Sequence, residues 1–404
     1  GDDLRKILPI VREGGSDSAI FDNVLEFLVM TGRSLPHAIL MMIPEPWGGH
    51  ESMSPELKAF YEYHSSLMEP WDGPAAIAAF GGRWVMGGMD RNGLRPMRYT
   101  ITSDGMIVAG SETGMVRVNE AEVVEKGRLG PGEMIAVDLI KGKLYHDREL
   151  KDMLARQHDY KEWDKYTTPI NKLIAQGATE TVEFERDELR RRQALVGWSL
   201  EDLELILHPM VEDAKEPVGS MGDDTPAAVL SEHYRGLHHY FRQEFSQVTN
   251  PPIDSLREKG VMSLRTRLGN LGNILDEDES QCRLLQLDSP VLSNAEFDAM
   301  RRYMADTAVE IDCTFPADGG PQALRDAIKR IQREAEDAVR GGCMHVVLHD
   351  KNVAAKRAPI PMILATGGVH THLVRQQLRT FTSLNVRSAE CLDIHYFAVL
   401  VGVG

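Results

Sequence analysis

The hydrophobic pattern changes its rhythm along the chain, and this change requires at least two domains of different architecture. Between residues 75 and 146, short apolar runs are separated by turn residues, namely Gly81-Gly82, Asp104-Gly105 and Lys141-Gly142. This rhythm predicts consecutive hairpins of an antiparallel sheet. From about residue 196 onward, helical patterns alternate with near-continuous apolar strands. The second rhythm predicts a parallel sheet covered by helices, either barrel-like or open.

The first region is predicted to place helices before its strands. Ser18 is positioned to cap a helix whose apolar face includes Ile20, Val24, Phe27 and Leu28. Further helices are predicted over residues 35–42 and near 55–68. Strands are predicted over residues 75–80, 83–89, 98–102, 106–111, 132–138 and 143–146. The helices are expected to cover one face of the antiparallel sheet.

The rest of the chain divides into a charged segment and a second globular region. Residues 151–195 are rich in charge and poor in strand formers, which predicts a solvated helical connection. Ser199-Leu-Glu-Asp202 predicts a capping box. Helices are predicted over residues 298–311 and 321–340 and from Pro361, and strands over 344–349, 383–387 and 396–401. The predicted boundaries are a first domain over 1–165, a linker over 166–195 and a second domain over 196–404.

Charge and cysteine content exclude several classes of function. The chain carries 45 Lys and Arg against 61 Asp and Glu, so binding to nucleic acid or to an anionic membrane is not expected. No apolar run approaches the roughly 18 residues of a membrane helix. The four cysteines, at positions 282, 313, 343 and 391, form no CxxC pair, so no metal site is predicted. Four scattered thiols favour the reducing cytoplasm.

A compact turn, Met89-Asp-Arg-Asn-Gly-Leu-Arg-Pro-Met-Arg-Tyr99, concentrates polar residues between two predicted strands. Taken alone, it fits a tight turn with solvated arginines as well as a turn that organises a buried site. Gly14-Gly-Ser-Asp-Ser-Ala19 lies upstream of it. Ala109-Gly-Ser-Glu-Thr113 and Gly127-Arg-Leu-Gly-Pro-Gly-Glu-Met-Ile-Ala-Val-Asp138 lie downstream.

This order of motifs resembles the C-terminal half of class II glutamine amidotransferases, which are N-terminal-nucleophile hydrolases. In that family a Ser-Asp segment is followed by an Asp-x-x-Gly-x-Arg-Pro turn, an Ala-Ser-Glu strand and a Pro-Gly-Glu strand. Met68-Glu-Pro-Trp-Asp-Gly-Pro-Ala75 and residues 90–96 are most similar to the large subunits of the glutamate synthase family. Residues 216–226, 241–257 and 262–264 look like the central domain of those subunits, so the resemblance covers the whole chain.

The resemblance implies a multidomain α+β and α/β fold. Its first part is expected to be a partial αββα sandwich, and its second an α/β domain similar to a flavin-type barrel unit that binds no cofactor. Asp17, beside Ser16, is expected to bind the α-ammonium group of glutamine, and the alternative is that Asp17 only caps a helix. The turn that organises the site is expected to consist of Asp90, Arg91, Asn92, Gly93 and Arg95. An entry for ammonia is expected at Ser111, Glu112 and Thr113.

The nucleophile of the resembled family is absent from the chain. That nucleophile is an N-terminal cysteine whose own α-amino group acts as the base. This chain starts at Gly1, and its cysteines all follow residue 280. No catalytic residue is therefore assigned, and the chain alone is not expected to hydrolyse glutamine. Because the chain starts without an initiator methionine and stops in the apolar run 395–404, both ends are interpreted as internal to a larger polypeptide.

For the intact enzyme, the resemblance implies glutamine hydrolysis, internal ammonia transfer and reductive synthesis of L-glutamate from 2-oxoglutarate. Flavin mononucleotide (FMN) and a [3Fe-4S] cluster are expected in the rest of the polypeptide. FAD and [4Fe-4S] clusters are expected in a small flavoprotein subunit that supplies electrons from NADPH, and ferredoxin stays open as an alternative donor.

Two other functions stay open: another class II amidotransferase and a non-catalytic scaffold. The first would need a phosphate-binding motif in the second half of the chain. Residues 219–226 contain glycines but lack the Gly-Lys-Ser/Thr of a phosphate loop, and their consecutive aspartates repel phosphate. They are predicted to form a turn at a domain contact.

Overall fold

The structure is a computed structural model that describes residues 6–50, 52–174, 183–217, 222, 225–226, 228–232, 235–242 and 262–404. The described residues form two compact units. Unit 1 contains the chain up to Tyr166 and a later return of the chain at Ile274–Cys282. Unit 2 contains the chain from Thr167, together with Leu264–Asn273 and Arg283–Gly404. The motifs predicted over residues 219–224 and 241–257 lie largely outside the described residues.

Unit 1 begins with helices whose first turns follow serine caps. Its helices are α1 (Asp17–Met30), α2 (Leu35–Met42), α3 (Pro55–Ser65), α4 (Asp147–Ala155) and α5 (Tyr160–Asp164). The bounds predicted for α2 are confirmed, whereas α3 ends earlier than predicted. The cap predicted at Ser18 is wrong, because Ser16 takes this role and its Oγ accepts a hydrogen bond from the Ala19 amide at 3.3 Å.

The strands of unit 1 form two antiparallel sheets, where the hairpin rhythm predicted one and the family resemblance implied the two of a sandwich. They are β1 (Ala76–Phe80), β2 (Trp84–Met89), β3 (Arg98–Thr102), β4 (Ile107–Gly110), β5 (Val123–Arg128), β6 (Met134–Asp138) and β7 (Lys143–Tyr145). The first sheet has the order β1-β2-β6-β7 and the second the order β4-β3-β5. The sequence analysis missed β5, because Glu125, Lys126 and Arg128 leave it no apolar run.

The first sheet lies between the helices and the second sheet. Met86 of β2 packs in one core with Phe60 of α3, so the helices cover one face as predicted. Ile135 of β6 packs with Met97, which precedes β3, so the second sheet covers the other face. A Cβ at Gly87 would lie only 2.8 Å from Met97 Sδ, and this glycine therefore permits the close approach of the sheets. Unit 1 is accordingly an α-β-β layered structure.

Unit 2 combines several small sheets with long helices. Its helices are α6 (Asn171–Ile174), α7 (Arg186–Leu195), α8 (Leu200–Asp202), α9 (His208–Asp213), α10 (Asn294–Met304), α11 (Gly320–Arg340), α12 (Met362–Arg375) and α13 (Ile394–Val403). Its strands are β8 (Thr168–Pro169), β9 (Thr266–Leu268), β10 (Leu285–Leu287), β11 (Ala308–Asp312), β12 (Thr314–Pro316), β13 (His345–His349), β14 (Arg357–Pro359) and β15 (Ser383–Arg387). The capping box predicted at Ser199 and Asp202 is confirmed at the start of α8.

The predicted parallel sheet is present in unit 2 and has the order β11-β13-β15. Strand β13 is buried along its whole length, as expected for a central parallel strand. Helices α11 and α12 pack in the same core as β13, through Ile331 and Val369. In the described part of the chain this sheet contains three strands, and the likeness to a flavin-type barrel is not confirmed.

Three segments of unit 2 differ from their predicted structures. Residues 396–401 were predicted as a strand but lie in α13, where Asp393 accepts a hydrogen bond from the Tyr396 amide at 2.8 Å. Their unbroken apolar run has no period, so it does not distinguish a strand from a buried helix. The helix predicted over 298–311 ends at Met304, and β11 follows it. Residues 168–174, predicted within the linker, form β8 and α6, and β8 pairs with β10.

No helix in the described part of the chain has the length and the apolar character needed to cross a membrane.

Candidate functional site

The carboxylate of Asp90 is the centre of the predicted turn. It is buried directly after β2 and accepts hydrogen bonds from four backbone amides. The donors are Asn92 to Oδ1 (3.0 Å), Ala75 and Arg95 to Oδ2 (3.1 and 3.2 Å), and Leu94 to both oxygens (3.1 and 3.0 Å). Hydrogen bonds from backbone amides stabilise the negative charge of a buried carboxylate even where no cation is nearby. Asp90 therefore holds the turn together, which fits both the tight turn and the site-organising turn that the sequence left open.

The neighbours of Asp90 divide into buried and exposed residues. Arg91 is buried and its Nε donates to the Pro44 carbonyl at 3.0 Å, while burial lowers the pKa of its guanidinium and Asp72 opposes that effect. Gly93 has φ +64°, and a Cβ there would lie 2.8 Å from Pro131 Cγ. The side chain of Arg95 is exposed. The turn thus needs glycine at position 93 and leaves one arginine free to face solvent.

Two of the sequence motifs meet at this turn. The Gly132 amide donates to the Asp90 carbonyl at 2.8 Å, and the Met89 amide donates to the Glu133 carbonyl at 3.0 Å. The Glu133 carboxylate accepts a hydrogen bond from the Gly130 amide at 2.6 Å. The Pro-Gly-Glu motif therefore supports the Asp90 turn from the adjacent edge of the first sheet.

A buried ionic network contacts the Pro-Gly-Glu motif, and it was not predicted from the sequence. Lys151 of α4 is fully buried, and its Nζ lies 3.1 Å from Glu45 Oε1 and 2.8 Å from Asp147 Oδ1. The same Nζ donates to the Gly132 carbonyl at 3.0 Å. Tyr61 donates its hydroxyl to Glu45 at 3.1 Å, and burial raises the pKa of Tyr61 far above its usual value. In the sequence, the only local sign of this network is the four-residue spacing of Asp147 and Lys151. The same spacing is common between charged residues on solvent-exposed helices.

The predicted glutamine ligands lie at the start of α1. Ser16 caps this helix, and Asp17 is exposed in its first turn. Among the contacts of the described residues, Asp17 makes no hydrogen bond or ion pair with the Asp90 turn. Asp17 is not the capping residue of α1, so the alternative role considered for it does not apply.

Ser111, Glu112 and Thr113 follow β4, and all three side chains are exposed. They directly follow β4, an edge strand of the second sheet, which packs against the sheet that carries the Asp90 turn. Ser111, Glu112 and Thr113 therefore lie in the same unit as the Asp90 turn. None of the contacts described for the chain joins them to the hydrogen bonds of that turn.

The cysteines do not fit an iron–sulfur cluster. Cys282 lies in the core of unit 1, whereas Cys313, Cys343 and Cys391 belong to unit 2. Burial raises the pKa of Cys313 and of Cys391 to about 12, which keeps these thiols protonated at neutral pH. A cluster needs several thiolates at one point.

One group of histidine and carboxylate side chains in the described part of the chain has metal-binding spacing, where the sequence predicted none. It consists of His37, His64 and Glu277, all in unit 1. Burial, and then the charge of His64, lowers the pKa of His37 to about 3. Because Glu277 is distant in sequence from both histidines, no local motif identifies the group.

Two histidines of unit 2 are held by neighbouring side chains. His372 Nε2 lies 2.7 Å from Glu336 Oε2. His370 Nδ1 accepts a hydrogen bond from Arg379 Nε at 3.1 Å. Both histidines belong to α12, and these contacts hold that helix in place.

Two family profiles match the chain, in the order that the motifs predicted. Residues 1–163 match class-II glutamine amidotransferases, and residues 191–404 match the glutamate synthase central domain. The whole chain is 63% identical to part of the glutamate synthase [NADPH] large chain of Azospirillum brasilense and covers 27% of that protein. It is 42% identical to the corresponding protein of Bacillus subtilis and 41% identical to ferredoxin-dependent glutamate synthase 2 of Synechocystis, and it covers 26% of each.

These matches extend over both units. The chain spans about a quarter of the length of the curated relatives that it matches. The central-domain profile alone covers more than half of the chain. The chain therefore belongs to the glutamate synthase family, and it joins a class II glutamine amidotransferase segment to the central domain of the large subunit.

Proposed function

We propose that this chain is part of an enzyme that hydrolyses glutamine, transfers the ammonia internally and uses it for the reductive synthesis of L-glutamate from 2-oxoglutarate. The observation that carries the proposal is the 63% identity to a glutamate synthase large chain over the whole of this chain. An amidotransferase of another pathway would carry an unrelated domain where residues 191–404 match the central domain. The proposed roles follow the predicted domains, with 1–165 as the amidotransferase part and 196–404 as the central domain, while residues 168–174 of the predicted linker 166–195 fold with unit 2.

The role proposed for this chain's own residues is to bind glutamine and to guide ammonia. Ser16 fixes the first turn of α1 and so positions the exposed carboxylate of Asp17 for the α-ammonium group of glutamine. Asp90 and its turn, with Asn92 and Arg95, provide the rigid edge of the glutamine site. Thr113 and its two preceding neighbours form the entry of the ammonia passage. A water-poor passage matters because protonated ammonia is not nucleophilic.

The remaining parts of the proposed enzyme lie outside this chain. FMN and a [3Fe-4S] cluster belong to other domains of the same polypeptide, and FAD and [4Fe-4S] clusters belong to a small flavoprotein subunit. NADPH is the proposed electron source, because the relative at 63% identity is named for it. The proposed location is the cytoplasm. The three parallel strands of unit 2 are proposed to be part of a flavin-type barrel unit, and the layers of unit 1 part of an αββα sandwich.

In the enzyme that contains this chain, Asp17→Asn is expected to raise KM for glutamine by about 10- to 100-fold, since it removes one charge-assisted contact. Activity with free ammonia as the nitrogen source is expected to stay unchanged. Steady-state kinetics with both nitrogen sources measure the effect. Asp22→Asn, at an exposed position of the same helix, is the control. An unchanged KM would contradict the role of Asp17, and a wild-type enzyme without glutamine-dependent activity would favour a scaffold.

Thr113→Trp is expected to uncouple the two half-reactions, because a bulky side chain blocks the proposed entry for ammonia. The ratio of glutamine consumed to 2-oxoglutarate converted is expected to rise from about one to at least about two. Product analysis of both half-reactions measures this ratio. Ser103→Trp is the control, since Ser103 is exposed in the turn between β3 and β4. Equal ratios in both variants would remove Thr113 from the passage.

A further inference from the structure

Two buried imidazoles meet ring nitrogen to ring nitrogen in unit 1. His37 belongs to α2 and His64 to α3, and their side chains are 2% and 3% exposed. Their Nε2 atoms are 2.8 Å apart. All eight residues of α2 are buried, and α3 buries its face toward α2, so helix packing forces the two rings together.

The second ring nitrogen of each histidine has a partner outside the pair. His64 Nδ1 lies 2.8 Å from the Phe60 carbonyl, which only accepts, so this nitrogen carries the hydrogen. The Nε2 atom of a neutral His64 then presents its lone pair toward His37 and Glu277. His37 Nδ1 lies 3.2 Å from the side-chain amide of Gln157, which orients this ring. Two imidazole Nε2 atoms beside a carboxylate form a donor set that suits a metal ion of the zinc class.

A carboxylate completes the group. Glu277 Oε1 lies 3.6 Å from each of the two Nε2 atoms. The three atoms form a triangle with sides of 2.8, 3.6 and 3.6 Å, and the point equidistant from them lies about 2.0 Å from each. This distance matches the bond length of zinc to imidazole nitrogen and to carboxylate oxygen, about 2.0–2.2 Å, and tetrahedral coordination requires the two nitrogens to move apart by about 0.5 Å.

The surroundings orient these donors as the outer partners of metal ligands do. The Phe60 carbonyl accepts the second N–H of His64, the Gln157 side chain contacts the second nitrogen of His37, and the Tyr160 hydroxyl donates to Glu277. His158 Nε2 lies 3.7 Å from Glu277 Oε2, and its half-exposed ring marks the side that faces solvent. The charge of Arg33 opposes a cation here, since it also lowers the pKa of His37, and the negative charge of Glu277 offsets it.

We propose that His37, His64 and Glu277 bind a divalent metal ion of the zinc class, with solvent in the remaining coordination position. Glu277 lies in the return segment Ile274–Cys282, which the chain contributes to unit 1 after leaving it. A metal ion bound by these three residues ties this segment to α2 and α3. The site is independent of the glutamine site and of the proposed activity.

The test measures metal content in the protein that contains the whole chain. After dialysis against metal-free buffer, mass spectrometry is expected to find about one zinc ion per chain in the wild type and less than about a tenth of that in Glu277→Gln. His372→Gln is the matched control, because His372 pairs with Glu336 in unit 2 and its loss leaves zinc unchanged. Circular dichroism confirms that the variants fold.

A second measurement needs no variant. Cobalt(II) added to the dialysed wild type is expected to give the visible absorption of a four- or five-coordinate ion, and zinc is expected to displace it. Absence of bound zinc and of the cobalt bands would overturn the proposal and leave a shared proton between the two histidines. Equal zinc content in the wild type and in folded Glu277→Gln would overturn it as well.

Discussion

Replacing Lys151 by methionine is expected to lower the free energy of unfolding of unit 1 by about 3–5 kcal/mol. Lys151 is fully buried between the carboxylates of Glu45 and Asp147, whose side chains are only 11% and 16% exposed. Methionine fills the same volume but removes the buried cation between the two carboxylates. Glu45 then keeps only the Tyr61 hydroxyl and Arg148 at 4.0 Å, and Asp147 keeps the Met134 amide. The loss also removes the hydrogen bond to the Gly132 carbonyl, which supports the Asp90 turn. Urea unfolding measures the change.

The loss in free energy of unfolding that Lys151→Met causes is expected to depend on pH. Burial raises the pKa of Asp147 above its usual value, and Lys151 opposes that rise. Without Lys151 the pKa of Asp147 rises further, so acid neutralises the uncompensated charge in the folded variant before it does so in the unfolded chain. The difference in stability between wild type and variant is therefore expected to narrow as the pH falls from about 7 to about 5. A constant difference would contradict the assignment of the network.

The matched control is Lys143→Met. Lys143 Nζ lies 2.6 Å from Glu149 Oε1, but both side chains are about half exposed. Solvent screens this pair, and the variant is expected to unfold like the wild type. Tryptophan fluorescence suits both variants, because Trp47, Trp71, Trp84 and Trp163 of the five tryptophans lie in unit 1. Equal losses in free energy of unfolding for Lys151→Met and Lys143→Met would show that the burial of Lys151 has no effect on stability.

Replacing Asp90 by asparagine is expected to cost about 3 kcal/mol, although the two side chains have the same shape. The Leu94 amide contacts both carboxylate oxygens, at 3.1 and 3.0 Å. Whichever oxygen becomes an NH₂ group, at least two backbone amides then face a donor instead of an acceptor. The turn is expected to loosen, and glutamine binding to weaken with it.

Asp104→Asn is the control for this substitution. Asp104 is an exposed turn residue whose Oδ1 accepts a hydrogen bond from the Met106 amide at 3.3 Å. An asparagine there keeps its carbonyl oxygen toward the amide and turns its NH₂ group to water, so no measurable change is expected. Chemical unfolding of both variants, with the KM for glutamine in the enzyme, gives the comparison. A stable Asp90→Asn variant with unchanged KM would contradict the organising role of Asp90.

Local patterns determined several elements of this protein from the sequence. The bounds of α2, β3 and β15 match the predicted ranges, and the capping box at Ser199 is present. Caps, turn glycines and apolar periodicity act within a few residues, so they can be read from the chain itself. The order of the motifs around Asp90 identified a class II glutamine amidotransferase, and the central-domain segments identified the glutamate synthase family.

Prediction failed where a segment has no period or where its pairing partner is remote. The apolar run of α13 fits either a helix or a strand, and only its packing in the core of unit 2 decides. The charged strand β5 is held by its pairing with β3 and not by an apolar pattern of its own. The division of the strands into two sheets follows from their hydrogen-bonded pairing, in which β2 pairs with β6 and β3 with β5 across segments that are not adjacent in sequence.

The sequence by itself therefore determined the two architectures, their order, the family and the Asp90 turn, because these depend on short-range chemistry. Only the tertiary structure decided which charged and titratable groups share a buried environment. Lys151 with Glu45, and His37 with His64 and Glu277, are brought together by elements far apart in the chain. Their interactions depend on desolvation, which arises when the core closes and has no counterpart in a local pattern.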